Sequence, residues 1–312
     1  MMIPIDLPSP SASGVDFVAL GECSLDHIGL LAEGWPRLDG KYALARLLLA
    51  PGGQAATASL TCQRLGWTSR WIGCVGDDEA GETTLAGLRE AGVDVRAVVR
   101  PGCGSRQAIV LVDRATATRT VLGARPAPLR LAPSDIDPLW IATARLVLVD
   151  ASDAGAALAA AGIARAHGRP VMIDLDGPCP EAEALLRSTD VVVVPESGLP
   201  GLVDTSDAGA GLPRLAALSG AGVVVVTLGG RGAIGLSGGE ECRVEAPQVE
   251  VVDTTGAGDA FRGGFAAGWL RHGPGAGLRD VLAYASTVAA LSCRAAGAQS
   301  ALPRAAEVEA LL

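Results

Sequence analysis

Val251-Val252-Asp253-Thr254-Thr255-Gly256-Ala257-Gly258-Asp259-Ala260-Phe261-Arg262-Gly263-Gly264-Phe265 is a polar, glycine-rich loop that runs straight into an apolar helix. The first turn of such a helix presents unpaired N–H groups and the positive end of the helix dipole. Gly256 and Gly258 let the backbone approach a bulky anion and take φ values that other residues resist. The pattern therefore predicts an anion hole suited to a phosphoryl group in transfer. Asp259 stands at its mouth, where the dipole favours the carboxylate and an attacking hydroxyl can pass it a proton. Positioning and charge neutralisation carry most of phosphoryl transfer to an alcohol, so a base beside an anion hole is the equipment it needs. The plainer alternative is a capped helix after a turn. It suffices for a lone G-x-G-D, but the full run D-T-T-G-A-G-D-A-F-x-G-G-F is far more specific.

Outward from this stretch the chain alternates strand and helix. Strands are expected at Val15 to Leu20, Trp71 to Val75, Leu146 to Val149, Val171 to Leu175, Val191 to Val194 and Val223 to Thr227. Helices are expected at Ala55 to Leu65, Thr83 to Ala91, Ala154 to Ala166, Glu181 to Arg187, Leu212 to Ser219, Ala260 to Arg271 and Val281 to Ala295. That rhythm predicts an α/β fold with a mainly parallel sheet covered on both faces. The four valines Val223–Val226 mark a strand buried on both sides. Two segments, about 36–50 and 95–122, alternate or carry β-branched residues without a helical pattern. They read as a second, smaller sheet, a lid inserted into one domain spanning 1–312.

Composition narrows the function. Lys and Arg total 25 against 34 Asp and Glu, a formal charge of −9, which disfavours nucleic acid and anionic membranes as partners. Lys41 is the one lysine, and there is no G-x-x-x-x-G-K-[ST], so phosphates must be met by backbone N–H groups, arginine or metal. The glycines at 229–232 come late and open no helix, which argues against a dinucleotide fold. Seven scattered cysteines without a C-x-x-C, and three histidines away from them, predict buried reduced thiols rather than disulfides or a metal cage. No signal peptide or membrane-spanning run is read, and a cytoplasmic location is expected.

The 253–265 stretch resembles the C-terminal signature of the ribokinase-like, or PfkB, carbohydrate kinases, and the resemblance extends over nearly the whole chain. It implies a three-layer α/β/α core with a small β lid, ATP and Mg²⁺ as cofactors, and a sugar-like acceptor. Asp259 would be the base, and the amides of Gly256, Ala257 and Gly258 the anion hole. Gly21-Glu22-Cys23-Ser24-Leu25-Asp26 matches the place of a sugar-binding Asp, here Asp26 at the end of the first strand. Pro51-Gly52-Gly53-Gln54-Ala55-Ala56-Thr57-Ala58 resembles the N-terminal signature, with Gly52, Gly53 and Thr57 toward substrate. Thr57 departs from the family's usual Asn there.

Gly73 to Gly81 resembles a structural turn of the family. Thr227, Gly229 and Gly232 match its nucleotide-side loop, for which a tight turn between strands explains the glycines equally well. Asp253, Thr255 and Gly297 match residues that would hold K⁺, and Glu196 stands where an acid would order Mg²⁺ through water, although the family's N-x-x-E is absent. That gap, Arg119 and Asp174-Leu175-Asp176 resemble the ketohexokinase-like branch, with Arg119 toward substrate or solvated on the lid. A homodimer through the lid edges is expected. A nucleoside kinase of the same family, or a sugar-binding regulatory protein that has lost catalysis, are the alternatives.

Overall fold

Two valine runs set the centre of the large sheet. Val191–Val194 and Val223–Val226 lie side by side in parallel register, Val191 opposite Val223 and Val194 opposite Val226. In the computed structural model, which describes residues 1–312 apart from Ala12, Arg114 and Ala117, these are strands β10 (Val191–Pro195) and β11 (Val223–Thr227). From β11 the sheet runs through β10, β9 (Val171–Asp174), β8 (Ala144–Asp150), β1 (Val15–Leu20) and β4 (Ser69–Gly76) to β5 (Asp94–Arg100), every pair parallel. Beyond β11, β12 (Ala233–Ser237) and β13 (Glu240–Val244) add an antiparallel hairpin, making nine strands.

Alternate residues of these strands feed two cores, because successive strand side chains point to opposite faces. Val191, Val193, Val223 and Val225 pack with helices α1 (Gln54–Arg64), α2 (Glu79–Glu90), α8 (Ala257–His272), α9 (Leu278–Ser292) and α10 (Ala305–Glu309). Val192, Val194, Val224 and Val226 pack with α3 (Pro138–Ala142), α4 (Ala154–Ala166), α5 (Ala182–Arg187), α6 (Leu199–Val203) and α7 (Ala208–Ser219). The result is the expected three-layer α/β/α arrangement. No helix among the described residues is long and apolar enough to cross a membrane.

The small sheet has four strands in the order β3 (Leu44–Gly52), β2 (Ser24–Leu31), β6 (Gln107–Asp113) and β7 (Arg119–Ala124). Its central pair, β2 with β6, is parallel, and the outer pairs are antiparallel. Two expectations need correction. Val95 to Arg100, assigned from sequence to the small sheet, belongs to β5 at the edge of the large one. Residues 24–31, not expected as a strand, form the small sheet's inner strand β2. Asp26 accordingly sits inside β2 rather than at the C-terminal end of β1.

Helix α8 is aimed by its glycines. A Cβ on Gly263 would come within 2.5 Å of the Ala58 carbonyl oxygen on α1, and one on Gly264 within 2.9 Å of Val288 on α9. Glycine at both positions lets α8 settle between its neighbours, so its N-terminus meets the loops that leave the carboxyl ends of β1, β9, β10 and β11. Crevices at such ends are where open α/β sheets bind ligands.

Candidate active site

A cavity of about 910 Å³ opens there, between the small sheet and the α8 N-terminus. At one end it is walled by Glu22, Ser24, Asp26, Gly53, Gln54 and Arg106, with Val110, Arg119 and Val121 of the small sheet above. At the other lie Thr227 to Gly230, Gly232, Glu196 and the segment 246–249. Thr254 to Asp259 form the floor between them.

The chain enters α8 through a glycine cap, with Asp259 in the first turn. Gly256 caps the helix at φ 74°, a left-handed conformation that suits glycine. Its Cβ position lies 2.5 Å from the Ala298 Cβ, so a side chain is excluded sterically as well. The Ala257 amide, expected in the anion hole, donates instead to the Thr254 carbonyl (3.2 Å). Among the described residues, the amides of Gly256, Gly258 and Asp259 have no protein acceptor, which leaves those three N–H groups available at the cavity floor. Asp259 lies in the first turn of α8, its side chain 16% exposed to the cavity. Burial pushes its carboxyl up to about 7, against the pull of Arg262.

Asp253 clasps the anion-hole loop to the loop before α10. Its Oδ1 accepts from the Thr255 amide (2.9 Å) and hydroxyl (2.7 Å), and its Oδ2 from the Gly297 amide (2.9 Å). The three residues matched to a cation site are therefore together, joined by their own hydrogen bonds. Gly297 does not line the cavity.

At the small-sheet end of the cavity, Asp26 takes a hydrogen bond from the Ser24 hydroxyl (2.8 Å), and burial raises its carboxyl above the usual range. A Cβ on Gly52 would fall 2.2 Å from Asp26 Oδ2, so Gly52 makes room for that carboxylate and does not itself line the cavity. Gly53, with φ 93°, caps α1 and does reach the cavity. Thr57, expected to face substrate, points elsewhere. It is fully buried, and its hydroxyl accepts from Gln299 Nε2 (3.2 Å). Helix α1 is buried from Ala55 to Cys62, so its sequence offered no polar face by which to phase Thr57.

The nucleotide-side loop is a 3₁₀ turn, Gly229–Arg231, between the antiparallel strands β11 and β12. Its glycines divide the work. A Cβ on Gly232 would strike the Val244 carbonyl oxygen at 2.1 Å, whereas at Gly229 and Gly230 it would meet nothing. Thr227 ends β11 and faces the same space. Glu196 is at the cavity wall but is ion-paired to Arg231. Arg119, on β7, reaches across the cavity to donate to the Thr254 hydroxyl (2.8 Å), linking the small sheet to the anion-hole loop.

Several site residues escaped the sequence reading. Glu22 pairs with Arg106 (2.9 Å), and burial drives its carboxyl up to about 8. Gln54 donates to Asp174 (3.2 Å), the last residue of β9, and to Asp176 (2.7 Å) just past it. Arg262, one turn after Asp259, is 2% exposed and ion-paired to Asp174 at 2.7 Å. Glu22, Gln54 and Arg262 lie within the glycine-containing stretches 21–26, 51–58 and 251–265, but only their long-range partners reveal their contacts.

The sequence profile of the pfkB family carbohydrate kinases matches residues 16–305. A fructokinase from Klebsiella pneumoniae is 32% identical over 278 residues, covering 83% of this chain and 90% of that protein. The crystal structure of a candidate ribokinase from Agrobacterium tumefaciens superposes with a TM-score of 0.86 at 29% identity, covering 96% of this chain and 97% of that one. The aminoimidazole riboside kinase of Salmonella enterica, solved with aminoimidazole riboside and an ATP analog, superposes with a TM-score of 0.76 at 25% identity, covering 95% and 99%. With a ribokinase-like fold and a family match over nearly its whole length, the chain belongs to the pfkB family of carbohydrate kinases.

Proposed function

We propose that the protein transfers the γ-phosphoryl group of ATP to a hydroxyl of a neutral sugar or sugar-like polyol, with Asp259 as the base. The observation that carries this is the position of Asp259: a cavity-facing carboxylate beside three partnerless amides at the α8 N-terminus, between an acceptor end and a nucleotide end. The acceptor hydroxyl loses its proton to Asp259 as its oxygen bonds to phosphorus. The P–O bond to ADP breaks, its electron pair leaving on the ADP oxygen. The amides of Gly256, Gly258 and Asp259 take the charge that develops on the transferring group.

Asp26, with Ser24, would hold acceptor hydroxyls, and Gly53 and Gln54 would complete that end. Among the described residues the one aromatic side chain at the cavity wall, Phe261, is buried and offers little ring face for a base to stack on, and Arg106 is spent on Glu22, which favours an uncharged polyol over a nucleoside or sugar acid. Gly229 and Gly230 leave open space at the other end, where the nucleotide would lie. Mg²⁺ carried on the ATP phosphates would screen their charge, with Glu196 placed to hold its water; such an ion needs few protein ligands. Asp253, Thr255 and Gly297 would order the anion hole, aided by K⁺ on nearby carbonyls. Buried free thiols suit a reducing, cytoplasmic setting.

A homodimer through the small sheet belongs to the same proposal. Its outer face carries an in-register row, Leu49, His27, Ile109 and Leu122, and Leu49, Ile109 and Leu122 are all exposed. The deciding experiment is ADP release with Mg-ATP over a panel of sugars, sugar acids, sugar phosphates and nucleosides, beside Asp259→Asn. Turnover of a neutral polyol, reduced ~10²–10⁴-fold in the variant, is expected. Undiminished turnover by Asp259→Asn would remove the base. Binding of sugars without turnover by the unaltered chain would leave a regulatory protein.

A further inference from the structure

Arg262 is an unusual burial. A guanidinium with 2% exposure sits one helical turn beyond Asp259, among three carboxylates contributed by two elements. Its Nη2 is fully occupied: Asp174 Oδ1 at 2.7 Å, Asp176 Oδ1 at 3.2 Å and the Val193 carbonyl at 3.3 Å. Nη1 is directed differently. It lies 3.9 Å from Asp259 Oδ1 and 2.8 Å from where a Gly258 Cβ would be, so it lies along the anion hole itself. Helical side chains lean toward the N-terminus, so residue 262 runs back over residue 258, and only glycine at 258 leaves the space.

We propose that Arg262 is a positioning residue for the base: Asp174 and Asp176 anchor one end of its guanidinium, and the other end keeps Asp259 ionised and turned into the cavity. This rests on the reading of Asp259 as the base. The electrostatic surroundings explain why such a residue is needed. Asp259 is faced by Asp174 at the end of β9 and Asp176 just past it, by Asp150 at the end of β8 and by Glu22 after β1, all acidic. Against these stand Arg262 on its own helix and Arg119 from the small sheet. Arg119 is on an exposed strand and already donates to Thr254. Arg262 is the buried cation, its charge undiluted by solvent and held in place by Asp174, which is itself 0% exposed. Without it the carboxyl would hold its proton to higher pH and could not receive one from the acceptor.

A mere counter-ion for Asp174 is the competing account, and the double variant Arg262→Met/Asp174→Asn separates the two. It removes Arg262 without leaving the fully buried Asp174 as an unpaired charge, while Asp176 stays in contact with solvent, so folding is expected to survive, as read by its melting temperature. Its acid limb of kcat/KM for the acceptor, at saturating Mg-ATP, is expected to move up by about one pH unit or more, with activity recovering at higher pH. Arg262→Lys keeps a cation for Asp174 but offers one nitrogen in place of two, so its limb is expected to move the same way by a smaller step. An acid limb at its original pH in either folded variant overturns the proposal. Asp259→Asn, run alongside, isolates the underlying reading: if it stays active, Asp259 is not the base, whereas an inactive Asp259→Asn with an unmoved limb in the other variants condemns Arg262 alone.

Discussion

Replacing Asp259 by Asn should make the protein more stable as it makes it inactive, and the gain should depend on pH. The Asp259 carboxyl rises from an ordinary 3.8 to about 7 in the fold because burial penalises its anion. Between those values the folded chain holds a proton that the unfolded chain has released. Stability therefore falls as pH rises through that window, and above pH 7 the whole penalty is present. At about 1.4 kcal/mol per pKa unit, the ceiling is roughly 4 kcal/mol, and relaxation around the site makes about 2 kcal/mol a fair expectation. Asn has nearly the same shape and no charge to desolvate. Its advantage should be near zero at pH 4 and complete at pH 8. With an unfolding entropy of about 2.1 cal/mol/K per residue over the chain, that corresponds to a melting temperature higher by roughly 3–6 °C. Differential scanning calorimetry of both proteins at half-unit steps from pH 4 to pH 8 measures it. A difference that is flat across this range, or that grows toward acid, would refute the account of Asp259 as a carboxylate held against its desolvation cost.

Other consequences are as direct. Gly256→Ala forces a left-handed residue and a collision with Ala298, and should cost about 2–5 kcal/mol in urea unfolding as well as most activity. Asp253→Asn removes the charge that gathers three hydrogen bonds across two loops; faster amide hydrogen exchange at Thr255 and Gly297 is expected, with a loss of about 1.5–3 kcal/mol. Arg119→Met should reduce kcat at least tenfold while moving the melting temperature by less than about 1 °C, because its partner Thr254 lies at the anion hole and the residue is exposed. Light scattering should give twice the chain mass, and Leu49→Glu with Leu122→Glu should halve it; a single-chain mass before mutation would end the dimer proposal.

What could be read from the chain before its structure was whatever is local. The proposed anion hole and base occupy adjacent residues, 256 to 259, and their geometry follows from a glycine cap and one helical turn. The buried centre was legible because consecutive valines at 191–194 and 223–226 leave no solvent side. Edges were not. Strand β5 borders the large sheet and is only half covered, so its alternation matches that of a small-sheet strand. Strand β2 carries Asp26, His27 and Gly29, a sequence that disguises a strand because one of its faces serves the cavity. Arg262 reads as a surface residue of a helix until Asp174 and Asp176 arrive from nearly ninety positions away.

The small sheet's inner pair also sets an order of assembly. Strands β2 and β6 are neighbours in space, yet α1, β4, α2 and β5 lie between them in the chain. Neither β2–β3 nor β6–β7 can complete the sheet alone, and the pairing that joins them closes a long loop whose entropy must be met first. The large-sheet elements β1, β4 and β5 have to associate before the two hairpins are brought within reach. During synthesis the β2–β3 hairpin is therefore made early and waits, with Ile28, Leu30 and Ala50 not yet packed against Val110 and Val112 of β6, for a partner not yet translated. Substitutions on that hairpin should alter yield and aggregation in the cell more than they alter the finished protein's stability.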